Sequence, residues 1–70
     1  MSDSTTVEQR WVAFGAAGAV GSIHRMGDGF HVKLIDDAEY RGSYPSLEVA
    51  KSALHAALTP GSDWPEFREH

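Results

Sequence analysis

The sequence predicts an α+β domain: a three-stranded antiparallel sheet packed on one C-terminal helix, in the order β-β-β-α, with a short N-terminal helix before it. Two observations predict it. Between Val20 and Tyr44 apolar and polar residues alternate, and turn-forming residues interrupt the alternation twice. From Ser46 onward the apolar spacing changes to that of a helix with one buried stripe. The 70 residues suffice for one such unit. The expected limits are a disordered stretch at residues 1–6, a single domain over 7–61, and a tail at 62–70 packed through Trp64.

The first element is the least determined. Thr6-Val-Glu-Gln9 has the form of a capping box, and Val7, Trp11 and Phe14 follow at helical spacing. Gly15, Gly18 and Gly21 oppose a long helix, since each costs about 1 kcal/mol relative to Ala. The favoured reading is a short helix from about Thr6 to Phe14 and then a flexible Gly/Ala connector. A strand at Arg10–Phe14 is the alternative.

Val20–Met26 and Phe30–Ile35 read as two strands around Gly27-Asp28-Gly29, a three-residue hairpin loop with Gly at its left-handed position. That loop pairs Met26 with Phe30, His24 with Val32 and Ser22 with Leu34. Asp36-Asp37-Ala38 makes the next turn, and Glu39–Tyr44 the third strand, pairing Leu34 with Tyr40, Val32 with Gly42 and Phe30 with Tyr44. Phe30, Val32, Leu34, Tyr40 and Tyr44 then share the core face, joined by Met26 and Val20. Ser46 is a good N-cap, Glu48 favours the positive end of the helix dipole, and Leu47, Ala50, Leu54, Ala57 and Leu58 form the buried stripe. Thr59-Pro60-Gly61 ends the helix. In the tail, Asp63-Trp-Pro-Glu66 suggests a single capped helical turn.

A chain this short buries only roughly 60% of its unfolded surface. It has no cysteine, so neither a disulfide nor cysteine-bound zinc can support it. Nine of its apolar residues are Ala, so Trp11, Phe14, Trp64 and Phe67 become necessary to the core or available to a partner. Trp64 and Phe67, in the acidic Pro-broken tail, are the partner-surface candidates. The polar start lacks the pattern of a signal peptide, and the apolar stretch Trp11 to Gly21 is too short to span a bilayer. A cytoplasmic protein with no membrane partner is expected.

No motif for catalysis emerges. Gly15-Ala-Ala-Gly18-Ala-Val-Gly21 has neither the spacing nor the strand-to-helix context of a dinucleotide or phosphate loop. His24, His31, His55 and His70 lack metal-ligand spacing, and the predicted register puts His24 and His31 on opposite faces. Asp36 and Asp37 serve a turn. No nucleophile–base pattern stands out. The sequence therefore predicts no cofactor, no metal and no enzyme.

One constellation invites a ligand. In the predicted register Arg25, His31, Lys33 and Arg41 lie on the sheet face away from the core, with Lys33 opposite Arg41 and Arg25 opposite His31. Like charges placed across a strand pair repel, and a bound phosphate would relieve that repulsion. The competing account is a solvated face neutralised by Asp28, Asp36, Asp37 and Glu39. The formal net charge of −4 opposes nonspecific attraction to nucleic acid without forbidding a local basic patch.

Gly21-Ser-Ile-His-Arg, Gly29-Phe-His-Val-Lys-Leu, Tyr40-Arg-Gly-Ser-Tyr and Pro45-Ser-Leu-Glu-Val-Ala-Lys-Ser-Ala-Leu together resemble the AP2-like domains and the arm-binding domains of phage integrases. The resemblance implies a three-stranded sheet with a helix on one face and DNA on the other, contacted by Arg25, Lys33 and Arg41. The strand–strand–strand–helix order is also similar to the double-stranded RNA-binding domain, of whose basic helix start only Lys51 is matched. Over its whole length the chain resembles short actinobacterial proteins, some labelled methyltransferases. Methyl transfer is not implied here, because that fold needs a far longer chain.

Two function classes remain from the sequence. One is a non-enzymatic binding or accessory module acting on a protein partner or on itself as a homodimer, through open sheet edges and spare aromatics. The other is weak nucleic-acid binding by the exposed sheet face.

Overall fold

The structure, a computed structural model, describes residues 9–27 and 29–70. It is an α+β fold with five strands rather than three. They are β1 (Gln9–Gly15), β2 (Gly18–Met26), β3 (Gly29–Leu34), β4 (Gly42–Tyr44) and β5 (Glu66–Glu69), with α1 (Leu47–Ala57) between β4 and β5. All pairings are antiparallel, and the sheet order is β4-β3-β2-β1-β5. No helix among the described residues is long and apolar enough to cross a membrane.

The two added strands correct the N-terminal and C-terminal expectations. Gln9 to Phe14, expected as helix, is extended; the expectations placed on residues 1–8 lie outside the described residues. Trp11 and Ala13 point to the helix side of the sheet, and Arg10, Val12 and Phe14 to the other. The glycines that disfavour a helix instead make a tight reversal, with Gly15 opposite Gly18 around Ala16-Ala17. Gly18 sits at φ 120°, a conformation glycine adopts without penalty. Val20 is the extra residue of a bulge: Ala19 faces Phe14 and Gly21 faces Ala13. The tail, expected as a helical turn, pairs its Glu66–Glu69 with the free edge of β1, Phe67 opposite Ala13 and Glu69 opposite Trp11.

The hairpin β2–β3 is one residue shorter in its loop than the sequence suggested. Met26 faces Gly29, not Phe30, and Gly27 has φ 60°, as the favoured two-residue hairpin turns require. This one-residue slip reverses the parity of β2. Ile23, which the predicted parity puts on the outer face with Arg25, becomes fully buried opposite Val32, while Met26 does not join the core cluster. The gain is physical: a β-branched aliphatic side chain is removed from water at the sheet centre, worth roughly 1.5–3 kcal/mol.

Between β3 and β4 the register agrees with the sequence: Phe30 faces Tyr44 and Val32 faces Gly42. The third strand is shorter than expected, because residues 35–41 form a turn held by Asp37. Its carboxylate accepts from the Leu34 amide at 3.0 Å and from Arg41 Nε at 2.7 Å. Tyr40 is thereby released from the predicted pairing with Leu34.

Ser46 caps α1 as expected, its hydroxyl accepting from the Val49 amide at 3.2 Å. The helix lies across β2, β3 and β4 and buries Ala50 and Leu54 completely. Ala13, Ile23 and Val32 complete the buried core, with Trp11, Phe30, Leu34, Tyr44, Leu58 and Phe67 packed around it. Gly21 lies where the helix approaches the sheet: a Cβ there would stand 2.9 Å from the Lys33 carbonyl oxygen and 3.2 Å from Leu54 Cδ1.

Candidate functional site

One face of the sheet is covered by α1. On the other, the parity of the strands collects Arg10, Val12 and Phe14 from β1, Ser22, His24 and Met26 from β2, His31 and Lys33 from β3, Ser43 from β4 and Glu66 and Arg68 from β5. His24 lies directly between Arg10 and His31 across the strands, and Ser22 directly between Val12 and Lys33. Tyr40, freed from β4, lies over this face. Its hydroxyl shares a hydrogen bond with His24 Nδ1, its ring centroid is 5.3 Å from that of His24 and 5.5 Å from that of His31, and Lys33 Nζ is 5.4 Å from the ring centre. On the far strand, Arg68 stacks over Phe14 at 5.5 Å.

Of the four residues the sequence assigned to this face, His31 and Lys33 are there. Arg25 is not. The slip in β2 turns it to the helix side, opposite Phe30, where it donates to Gln9 Oε1 at 3.2 Å and lies over the Phe30 ring at 5.9 Å. Arg41 is spent on Asp37, so its charge is neutralised where it stands. The expected repulsions, Lys33 against Arg41 and Arg25 against His31, therefore do not arise. His24 and His31, predicted on opposite faces, face each other. Sequence reasoning missed Arg10, His24 and Arg68; reading Gly27-Asp28 as a two-residue turn recovers His24, and reading Arg10–Phe14 as a strand recovers Arg10.

Among the partner-surface candidates, Trp64 is 54% exposed and Phe67 is half-buried. Trp64 lies against His55 at 5.0 Å and Phe67 at 6.1 Å, and Lys51 Nζ is 5.3 Å from the Phe67 ring. The expected packing of the tail thus runs through Phe67 and the buried Pro65 more than through Trp64.

The open face has a positive field. Neither Arg10 nor Lys33 forms an ion pair with a carboxylate among the described residues, whereas Arg68 is 3.1 Å from Glu66. The field shows at His24. Partial burial holds its pKa below the ordinary histidine value of 6.5, and the charges of Arg10, Lys33 and His31 lower it further. At the turn the shift has the same direction: the Leu34 amide and then the Arg41 guanidinium hold Asp37 below the ordinary 3.8.

These shifts predict a pH profile. A histidine that binds its proton less well folded than unfolded penalises the native state as pH falls through 6.5 and below. Asp37 contributes stability above 3.8 that is lost as pH falls through its lower folded value. Thermal melts between about pH 7.5 and 5.5 should therefore show falling stability that His24→Gln makes shallower. An identical slope in the variant would remove His24 as its source.

Comparison of the chain with protein-family models, with curated proteins and with solved structures finds no match.

Proposed function

We propose that this chain is a small binding module without catalytic activity that holds single-stranded nucleic acid across the open face of its sheet. The observation that supports this most is that Arg10 and Lys33, without a carboxylate partner among the described residues, flank an aromatic and imidazole cluster of Tyr40, His24 and His31. Cations that track a backbone, with rings on which bases stack, are the components of sequence-tolerant single-strand binding. The overall negative charge keeps affinity modest and limits contact to this face.

The test is a backbone amide titration by NMR, with single strands of about eight nucleotides and with short DNA and RNA duplexes, at low and at ~0.15 M salt. Salt-sensitive shifts at residues 10–14, 22–24, 31–33 and 40 are expected with single strands. Absence of shifts there at low salt would end the reading.

A second reading is favoured by a different observation. Among the described residues no strand pairs with the outer edge of β5, and Trp64 is exposed. A partner strand, or a second copy, could extend the sheet there. Light scattering at rising protein concentration separates the two; a monomer throughout counts against self-association.

A further inference from the structure

A concavity of about 270 Å³ lies on the open face, lined by Arg10, Val12, Ser22, His24, Lys33 and Ile35 among others, His70 included. Its lining differs from the rest of the molecule. The chain carries 10 Asp and Glu against 6 Lys and Arg, yet among the described residues no Asp or Glu side chain lines this cavity, while Arg10 and Lys33 both do. The Ser22 hydroxyl, half-buried between them, has no hydrogen-bond partner among the described residues. Val12 and Ile35 provide apolar wall on which a sugar could rest. The volume is below that of drug-sized pockets and suits one phosphoryl group with part of its attached sugar.

We propose that this cavity binds a single phosphate monoester, with Arg10 and Lys33 as its charge partners and Ser22 as a hydrogen-bond donor, so that the module recognises the phosphorylated end of a strand. The proposal rests on the nucleic-acid reading of the face and extends it from backbone contact to end recognition. A terminal phosphate carries close to two charges and exposes three acceptor oxygens, where an internal diester carries one charge and two. Two cations on one cavity, with no carboxylate partner among the described residues, favour the former.

The histidine at the cavity wall gives the site a signature. His24 is faced by Arg10 from β1, by His31 and Lys33 from β3, by Tyr40 from the β3–β4 turn, and shares the cavity with His70 beyond β5. Partial burial first, and then the charges of Arg10, Lys33 and His31, disfavour its protonation. A dianion placed among them reverses the local field, so binding should take up a proton near neutral pH.

The experiment is calorimetric titration of the full chain with a thymidine strand of about eight nucleotides, with and without a 5′-phosphate, and with inorganic phosphate. The phosphorylated strand should bind about tenfold or more tighter, the effect of one charge-assisted hydrogen bond. The heat should depend on the buffer's ionisation enthalpy, reporting proton uptake. Arg10→Gln and Lys33→Gln should each remove most of the difference between the two strands without lowering Tm, and Lys51→Gln should leave it intact. Inorganic phosphate binding as tightly as the phosphorylated strand supports the cavity but assigns it to free phosphate. Equal affinity for both strands overturns the cavity while the face reading stands. Inorganic phosphate binding with neither strand binding overturns strand-end recognition and the face reading together, leaving a plain phosphate site. No binding of any of the three overturns everything proposed here.

Discussion

Replacing Leu54 by Ala is expected to lower stability by about 2–5 kcal/mol, the range for truncating a fully buried leucine whose surroundings cannot collapse. Leu54 has no exposed surface and meets the sheet at Gly21, where backbone rather than mobile side chain forms the floor. A cavity opened there has no long neighbour to fill it. Total stability for a domain of 70 residues is roughly 4–10 kcal/mol, so the loss is a large fraction of the whole. A fall of the order of 10–30 °C in Tm follows for a domain of this size. Leu54→Met, which conserves volume, should cost less than about 1.5 kcal/mol. If Leu54→Ala melts within a few degrees of the parent, the helix does not seat on the sheet as described.

The second large effect is the opposite change at the same contact. Gly21→Val should destabilise by about 1–3 kcal/mol or more, because a side chain there must displace packed atoms. The nearest obstacle is the Lys33 carbonyl, 2.9 Å from the would-be Cβ, and it belongs to the paired strand β3. Leu54 Cδ1, 3.2 Å away, could yield by changing rotamer; the carbonyl cannot move without disturbing the ladder. Combining Gly21→Ala with Leu54→Val should therefore fail to restore the stability lost by Gly21→Ala. Restoration, measured as coincident thermal melts of parent and double variant, would place the limiting contact on the helix instead of the strand.

Much of the middle of the chain was legible. Ser46 as cap, Ala50 and Leu54 as the buried stripe, and the facing of Phe30 with Tyr44 all follow from spacing and propensity, which are local. The failures share a cause in contacts far apart in sequence. Trp11 and Phe14 are compatible with either period, and only pairing on both sides decides for a strand. Glu66–Glu69 is four residues in an acidic tail behind a proline; its extended form comes from the partner edge it meets, and nothing within it specifies that edge. At Gly27-Asp28 a loop of two or three residues satisfies the same turn chemistry, and the burial of Ile23 chooses between them. The candidate face suffered most, because a single-residue slip exchanges every member of a strand's surface: Arg25 left it and His24 joined it. Arg41 was lost to a local carboxylate, a pairing available in the sequence at i and i+4 with Asp37 but outside any helix.

The bond between Gln9 and Glu69 joins residues 60 apart in the chain. Closing so long a span pays its entropy late, after the β1–β2–β3 hairpins and α1 are in place. During synthesis, β1 therefore leaves the ribosome well ahead of its outer neighbour, and for that interval its outer backbone donors and acceptors face solvent or another nascent chain. Once complete, the chain's own final strand has the higher effective concentration at that edge, so exchange of the strand between copies is expected only where nascent chains are crowded together.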